Sequence, residues 1–265
     1  MLTYTAQDYA TLPTLAQHAP TLVHAVSLRG LGNMSYTAGA PQLDIIRSNR
    51  ERFLGLLGLD MGALVVAQQC HTANIRAVTA ADRGAGAYAS DTGFAATDAL
   101  ITAEPGVWLG ILVADCAPVI LYDPARRVLG VAHAGWRGAL ARIAAHTAQQ
   151  MAAQYGCDPA RMWAAIGPCI GAQRYEVGDD VVEAARDAFP QAWPQFFSQP
   201  PGAPRPFFDL PGSSAYQLAQ AGIPPAQIEQ SGVCTFDAGE SFFSYRREGQ
   251  RSGRMLCVAG LHREA

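Results

Sequence analysis

Apolar residues fall into two kinds of run along this 265-residue chain. Nearly unbroken apolar stretches occupy positions 23–28, 64–69, 107–114, 117–122, 127–133 and 162–166, and each predicts a β-strand. Their continuous rather than alternating character predicts sheets covered on both faces. Further strands are expected near 231–236, 241–246 and 254–259. The second kind of run has helical spacing. Positions 43–54 predict a helix with an apolar stripe at Ile45, Ile46, Phe53 and Leu54, closed by Gly55-Leu56-Leu57-Gly58. Leu140, Ile143, Ala144, Thr147, Met151 and Tyr155 fit one long helix, which Asp158-Pro159 ends. Shorter helices are expected over 181–188 and 212–221. Gly30, Gly32 and Gly39 mark a loop after the first strand, and a Gly/Ala-rich loop runs from Ala80 to Thr97. The proline-rich stretch 190–206 reads as an excursion rather than a domain linker. No GxGxxG follows the first strand and no regular βαβ series emerges, which argues against a dinucleotide-binding fold. The pattern predicts a single α/β domain over residues 1–265, with mixed β-sheets packed together and helices on the outside.

Composition narrows the function classes. A hydrophobic content of 49% and a charged content of 15% describe a chain with a sizeable core and a sparsely charged surface. The net charge of −3 and the lack of any Lys/Arg stripe argue against nucleic acid as a partner. No apolar run reaches the roughly 18–20 residues of a membrane span, and no signal-peptide pattern opens the chain. Six dispersed cysteines without a C-x-x-C pair suggest a reducing compartment, so a cytoplasmic location is expected.

Three strand-like runs end on candidate metal ligands: His71 after 64–69, Cys116 after 107–114 and His133 at the close of 127–133. Two imidazoles and a thiolate suit Zn²⁺, and three protein ligands leave a fourth position for water or substrate. Asp115, beside Cys116, is either an acceptor for a ligand imidazole N–H or a capping carboxylate. Gly135-Trp136-Arg137-Gly138 leads from His133 into a predicted helix, where free N–H groups and the Arg137 charge would suit a phosphate. Trp136 reads more simply as packing. Cys169, in Gly167-Pro168-Cys169-Ile170, has no base near it in sequence and reads as structural.

The strings Ala114-Asp115-Cys116-Ala117-Pro118, His133-Ala134-Gly135-Trp136-Arg137-Gly138 and Ile166-Gly167-Pro168-Cys169-Ile170 closely resemble the YfiH-like family. That family is also called the laccase-domain, multicopper polyphenol oxidase or purine nucleoside phosphorylase family. Asp98-Ala99-Leu100-Ile101-Thr102, Tyr175-Glu176-Val177-Gly178, Cys234-Thr235 and Phe242-Phe243-Ser244-Tyr245-Arg246-Arg247 extend the match in order along nearly the whole chain. The resemblance implies a layered α/β fold and zinc ligation by His71, Cys116 and His133. Where family members carry a Gly-Gly-Val-Ser stretch after an early Ser/Thr-Arg, the corresponding region here, Ser27-Leu28-Arg29-Gly30-Leu31-Gly32-Asn33-Met34-Ser35, is shortened, although Asn33-Met34-Ser35 and Asn49-Arg50 both match family forms.

The activity implied is zinc-dependent purine nucleoside phosphorolysis of adenosine, inosine or S-methyl-5′-thioadenosine with phosphate, with a linked adenosine deaminase activity. The alternatives are a zinc amidohydrolase removing a wrong amino acid from a UDP-muramyl peptidoglycan precursor, and a copper-dependent polyphenol oxidase. Six scattered histidines without His-x-His pairs do not suit several coppers, so Cu²⁺ is the weaker expectation for the metal. Asp115, Arg137 and Arg246 are the expected catalytic residues, and Asn33, Ser35, Phe243 and Ser244 the expected substrate-binding ones. A strand period over 241–246 would put Ser244 and Arg246 on one anion-holding face. Phe243, Tyr245 and Arg247 would then lie on the other, where Arg247 is expected to matter little. Phe243 or Tyr245 would also offer a purine its apolar slot.

Overall fold

A computed structural model describes residues 2–5, 8–37 and 43–262; Gly39, expected in a loop, lies outside the described residues. In chain order the strands are β1 (Thr3–Thr5), β2 (Tyr9–Thr11), β3 (Leu22–Ser27), β4 (Leu64–Val66), β5 (Ile75–Ala77), β6 (Ala99–Thr102) and β7 (Trp108–Val113). They continue as β8 (Ala117–Asp123), β9 (Val128–Ala134), β10 (Trp163–Ile166), β11 (Phe197–Ser198), β12 (Phe207–Phe208), β13 (Ile228–Gln230) and β14 (Met255–Leu261). The helices are α1 (Pro13–Ala16), α2 (Leu43–Leu56), α3 (Trp136–Leu140), α4 (Ile143–Tyr155), α5 (Asp179–Ala188), α6 (Leu210–Gln220) and α7 (Tyr245–Glu248).

Two six-stranded mixed sheets carry the fold. The first runs β1-β2-β3-β14-β7-β4 and the second β13-β10-β8-β9-β6-β5, with a separate β11-β12 ribbon. Among the described strands, parallel pairing joins β4 to β7, β5 to β6 and β10 to β13. The unbroken apolar runs have a direct cause. Along β14, Met255, Cys257, Ala259 and Leu261 face the second sheet, while Leu256 and Val258 pack beneath α2. Along β8, Ile120 and Tyr122 face the first sheet, whereas Ala117, Val119 and Leu121 meet the helical layer containing α3–α6. Each central strand therefore buries both faces, and the layers stack as helix, sheet, sheet, helices.

Several sequence expectations shift. β4 stops at Val66 because the chain then bonds to the 84–97 loop, with Val66 N–H donating to Ala85 O at 2.8 Å and Gln68 N–H to Phe94 O at 2.9 Å. The long helix is broken into α3 and α4 at Arg142, which sits in the left-handed region at φ 60°. Gly156, also left-handed, ends α4 before the expected Asp158-Pro159 stop. Neither 231–236 nor 241–246 forms a strand. Turn hydrogen bonds such as Ala238 N–H to Cys234 O occupy that backbone, and 245–248 is helical. On α2 the buried stripe is Ile46, Arg50, Phe53 and Leu54, while Ile45 is exposed. No described helix is long and apolar enough to cross a membrane.

Candidate metal centre and its cleft

The candidate ligands meet where the chain passes from one sheet to the other. β7 belongs to the first sheet and β8 to the second, and Ala114-Asp115-Cys116 is the corner between them. Asp115 makes that corner at φ 80°, a left-handed conformation that Asp tolerates better than most residues. His133 lies on β9 with the same parity as Leu129 and Val131, so it points between the sheets. His71, at φ 61°, caps the loop after β4. Gly135 permits the close approach: a Cβ there would lie 2.7 Å from His71 Cδ2 and 3.0 Å from Cys116 Sγ.

The donor atoms of His71, Cys116 and His133 lie within 4.8 Å of one another, and they form the only such group among the described residues. Cys116 Sγ stands 3.8 Å from His71 Nε2. Tetrahedral zinc with ordinary Zn–S and Zn–N bonds sets that separation at about 3.6 Å. His133 Nδ1 bonds Asp98 Oδ1 at 2.9 Å, which leaves Nε2 free to act as a ligand. The buried Asp98 also accepts hydrogen bonds from the backbone N–H groups of Cys70 (3.1 Å), His71 (3.0 Å) and Thr72 (2.7 Å), and from the Thr72 hydroxyl (2.8 Å). One carboxylate thus orients His133 and holds the loop that carries His71. The donor set therefore fits a metal ion.

The ionisation states agree with that arrangement. Burial would push the Cys116 thiol up, but the His133 charge and hydrogen bonds from both histidines outweigh it and bring it down to about 6. Burial opposes charge on His133 too, and the Cys116 and Asp98 charges overcome it, raising it to about 9. For Asp98 the burial cost is exceeded by the His133 and Thr72 hydrogen bonds, which hold it down near about 2. A thiolate–imidazolium–carboxylate row is pre-formed, and a cation that displaces the imidazolium proton finds a ready thiolate.

The three residues border a cleft of about 830 Å³. Asp115, Arg137 and Arg246 line it, as does Ser35. Arg137 is exposed and stacks on Trp136 at 4.1 Å, so Trp136 both lines the cleft and packs against the core. α3 has only five residues, so the anion reading of this turn rests on the Arg137 side chain. Arg246 donates to Glu176 O at 2.9 Å and lies 5.1 Å over the Tyr175 ring.

Asp115 does not hold a ligand imidazole; Asp98 does. The Asp115 carboxylate instead accepts from Thr235 Oγ1 (2.6 Å), Ser244 Oγ (3.1 Å) and Arg246 N–H (2.6 Å). Ser244 is buried and caps α7, accepting from Arg247 N–H at 3.2 Å, so it braces Asp115 rather than facing the cleft. Phe243 packs into the inter-sheet core under the Arg29 guanidinium and does not border the cleft; Tyr245 does. Asn33 stands behind the wall, its Oδ1 accepting from Ser35 N–H (3.0 Å) and Arg254 N–H (2.9 Å). Because 245–248 is helical, the alternating-face argument for Arg246 and Arg247 fails. Arg247 turns inward and donates to Thr235 O, Phe236 O and Phe242 O.

Sequence reasoning missed Asp98, Tyr175 and Arg254, all adjoining the centre or lining the cleft. Asp98 and Tyr175 stood inside family-like strings, yet nothing local marked a role, because their partners are far away in sequence. Cys169 is buried, which pushes its thiol well up and agrees with a structural reading.

A metal-capable His-Cys-His group at a sheet seam, open to a cleft, defines a metalloenzyme-like class of site. The chain belongs to the family described as multi-copper polyphenol oxidoreductase laccase, the YfiH-like family, whose match covers residues 30–262. It is 35% identical over 218 residues to purine nucleoside phosphorylase YlmD of Bacillus subtilis, covering 82% of this chain and 77% of that protein. Adenosine deaminase RL5, from an unknown prokaryotic organism, is 34% identical over 208 residues, 78% of each chain. The crystal structure of YlmD from Geobacillus stearothermophilus superposes with a TM-score of 0.92 at 30% identity over 99% of both chains.

Proposed function

We propose that the protein is a zinc-dependent purine nucleoside phosphorylase that cleaves adenosine, inosine or S-methyl-5′-thioadenosine with phosphate. The observation that carries this reading is a three-ligand His-Cys-His group beside guanidinium groups in one cleft. The donor set favours zinc: one thiolate and two imidazoles suit it, whereas a set of coppers needs more histidines than gather here. Zinc held by these residues would supply Lewis acidity to a substrate oxygen. The names of the relatives, which are phosphorylases and a deaminase, support a purine nucleoside as substrate.

The chain's own groups divide the remaining work. Arg246 and Arg137 hold phosphate oxygens, and a guanidinium suits them by presenting paired N–H donors at fixed charge. Tyr245 and Tyr175 border the cleft with aromatic surface that a purine can stack on. Phosphate then attacks the sugar C1′ as the glycosidic bond breaks and the departing purine takes up a proton. The products are free purine with ribose-1-phosphate from adenosine or inosine, or with 5-methylthioribose-1-phosphate from S-methyl-5′-thioadenosine. The open cleft and the relative named an adenosine deaminase favour a second activity at the same site, in which water replaces the C6 amino group of adenosine to give inosine and ammonia.

The test is direct. Zinc-loaded protein is incubated with phosphate and inosine, adenosine or S-methyl-5′-thioadenosine, and the sugar-1-phosphate and free base are measured by chromatography. Equal amounts of both products, abolished by Cys116→Ala, are expected. No sugar-1-phosphate from adenosine, inosine or S-methyl-5′-thioadenosine refutes the reading. Release of an amino acid from a UDP-muramyl amide would replace it with the amidohydrolase.

A further inference from the structure

The buried stripe of α2 runs through an arginine. Arg50 is 1% exposed, among the least accessible side chains of the molecule, yet it borders the cleft. Its Nε donates to Met34 O at 2.8 Å, and its Nη1 to Gly86 O and Ala87 O, both at 2.8 Å. Among the described residues its Nη2 has no hydrogen-bond partner and no carboxylate pairs with the guanidinium. Tyr36 stacks on it at 4.4 Å. A buried cation bonded only to neutral carbonyls is costly to hold, and folds rarely keep one without an anion to meet it.

The surroundings suit such an anion. Ser35 and Thr37, which flank the stacked Tyr36, and Ser90 line the same cleft as Arg50, and all three carry hydroxyls. Arg47, 5.3 Å over the Tyr88 ring, adds a second positive charge near Tyr36. The acidic groups nearby are Glu51 and Asp91; Asp91 is exposed, and neither is bonded to Arg50. Gly86 keeps the carbonyl cradle tight: at φ 68°, a Cβ there would lie 1.9 Å from Val66 O.

We infer that Arg50, with the hydroxyls around it, is a separate subsite of this cleft that binds a phosphoryl dianion. It lies on the wall formed by α2, the turn at 84–87 and the end of β4, and is distinct from the Arg137/Arg246 group. The inference deepens the proposed function, since a phosphoryl group reaches this cleft in two ways: as free phosphate or as the ester of a phosphorylated nucleoside. It does not depend on turnover, because binding can be read directly.

The experiment is titration calorimetry of the zinc-loaded full chain with inorganic phosphate and, separately, with inosine 5′-monophosphate. Wild type is compared with Arg50→Met, Arg50→Lys and Arg246→Ala. Arg50→Met should weaken at least one probe tenfold or more, with zinc content unchanged. Arg50→Lys keeps the charge but loses the carbonyl cradle, and should fall between the two. Loss for inorganic phosphate assigns the co-substrate phosphate to Arg50 in place of Arg137 and Arg246, and loss for the monophosphate alone identifies a phosphorylated substrate. If both probes bind the Arg50 variants as tightly as wild type, or if only Arg246→Ala weakens them, the subsite is refuted. If Arg50→Met fails to fold, Arg50→Lys decides: unchanged affinity for both probes in that folded variant overturns the inference. Binding that survives alongside absent phosphorolysis refutes the proposed function but not the subsite.

Discussion

Replacing Asp98 with Asn tests whether one buried carboxylate organises the metal centre. The wild-type side chain accepts five hydrogen bonds, from His133 Nδ1, three backbone N–H groups of residues 70–72 and the Thr72 hydroxyl. Asn keeps the shape but presents an NH₂ where one oxygen stood. Oδ1 serves His133 and His71 N–H, while Oδ2 serves Cys70, Thr72 N–H and the Thr72 hydroxyl, so either flip sets a donor against backbone donors. An orphaned buried donor costs about 1–3 kcal/mol. His71 also needs the clamp, since its left-handed backbone costs about 1–3 kcal/mol unless its surroundings hold it there. Losing an orienting carboxylate typically weakens metal affinity 10–100-fold, or about 1.4–2.8 kcal/mol. We therefore expect the zinc Kd of Asp98→Asn to rise in that range, measured by competition with a chromophoric chelator. The zinc-free variant should also unfold at lower urea. A zinc Kd within threefold of wild type refutes the argument that Asp98, and not Asp115, orients the ligands.

Cys116→Ala removes the only thiolate of the group and should abolish stoichiometric zinc by elemental analysis, while circular dichroism stays native because the three apolar clusters are untouched. Full zinc retention would remove Cys116 from the centre. Arg247→Ala deletes inward hydrogen bonds to three carbonyls and Glu248 and should destabilise by about 2–3 kcal/mol in urea denaturation, against the sequence expectation that it matters little. A loss under about 0.5 kcal/mol would return it to the surface class. Burial is the larger influence on His24 and lowers it to about 4, partly offset by its Leu12 backbone hydrogen bond. A histidine depressed in the folded state contributes fully above its unfolded value of about 6.5, and stability falls as pH drops from there toward 4. The loss should approach about 3 kcal/mol, and His24→Asn should flatten that acid limb in urea melts between pH 7 and 4.5. An unchanged slope refutes it.

The double-sheet architecture was legible because strands buried on both faces leave uninterrupted apolar runs, as at 117–122 and 127–133. Short strands such as β5 and β6 were missed because three or four residues carry too little pattern, although β6 is wholly buried. On α2 Ile46, Phe53 and Leu54 were read as buried and are, but the exposed Ile45 was included and Arg50 omitted, because a buried arginine breaks the apolar code that period reading depends on. The His71, Cys116 and His133 grouping, which could hold a metal, was legible from strand ends and family-like strings. Asp98 was not, since its partner His133 lies 35 residues away and joins it only when β6 pairs with β9. The Phe243–Arg247 segment misled for a local reason. Its apolar start suggested a strand, but Ser244 caps a helical turn, and that turn replaces alternation with an inward Arg247 and a cleft-facing Arg246.

Asp115 links the two halves of the centre, and its charge and its geometry can be separated. Its backbone forms the corner that delivers Cys116, and its carboxylate holds Thr235, Ser244 and the backbone of Arg246. The ligand and the guanidinium are therefore fixed relative to each other through this one side chain. If it acts only by position, Asp115→Asn should be mild. The amide oxygen can take the place of Oδ2, which serves Ser244 and Arg246 N–H, and the NH₂ can then donate to the Thr235 hydroxyl, which is able to accept. Asp115→Ala removes all three bonds and should release α7, raising the KM for phosphate about tenfold or more with little change in zinc content. A positioning role thus predicts a wide gap between the two variants and no displaced limb in the pH–rate profile of Asp115→Asn. If Asn is as damaging as Ala, and acts on kcat rather than KM, then Asp115 itself exchanges a proton with the substrate.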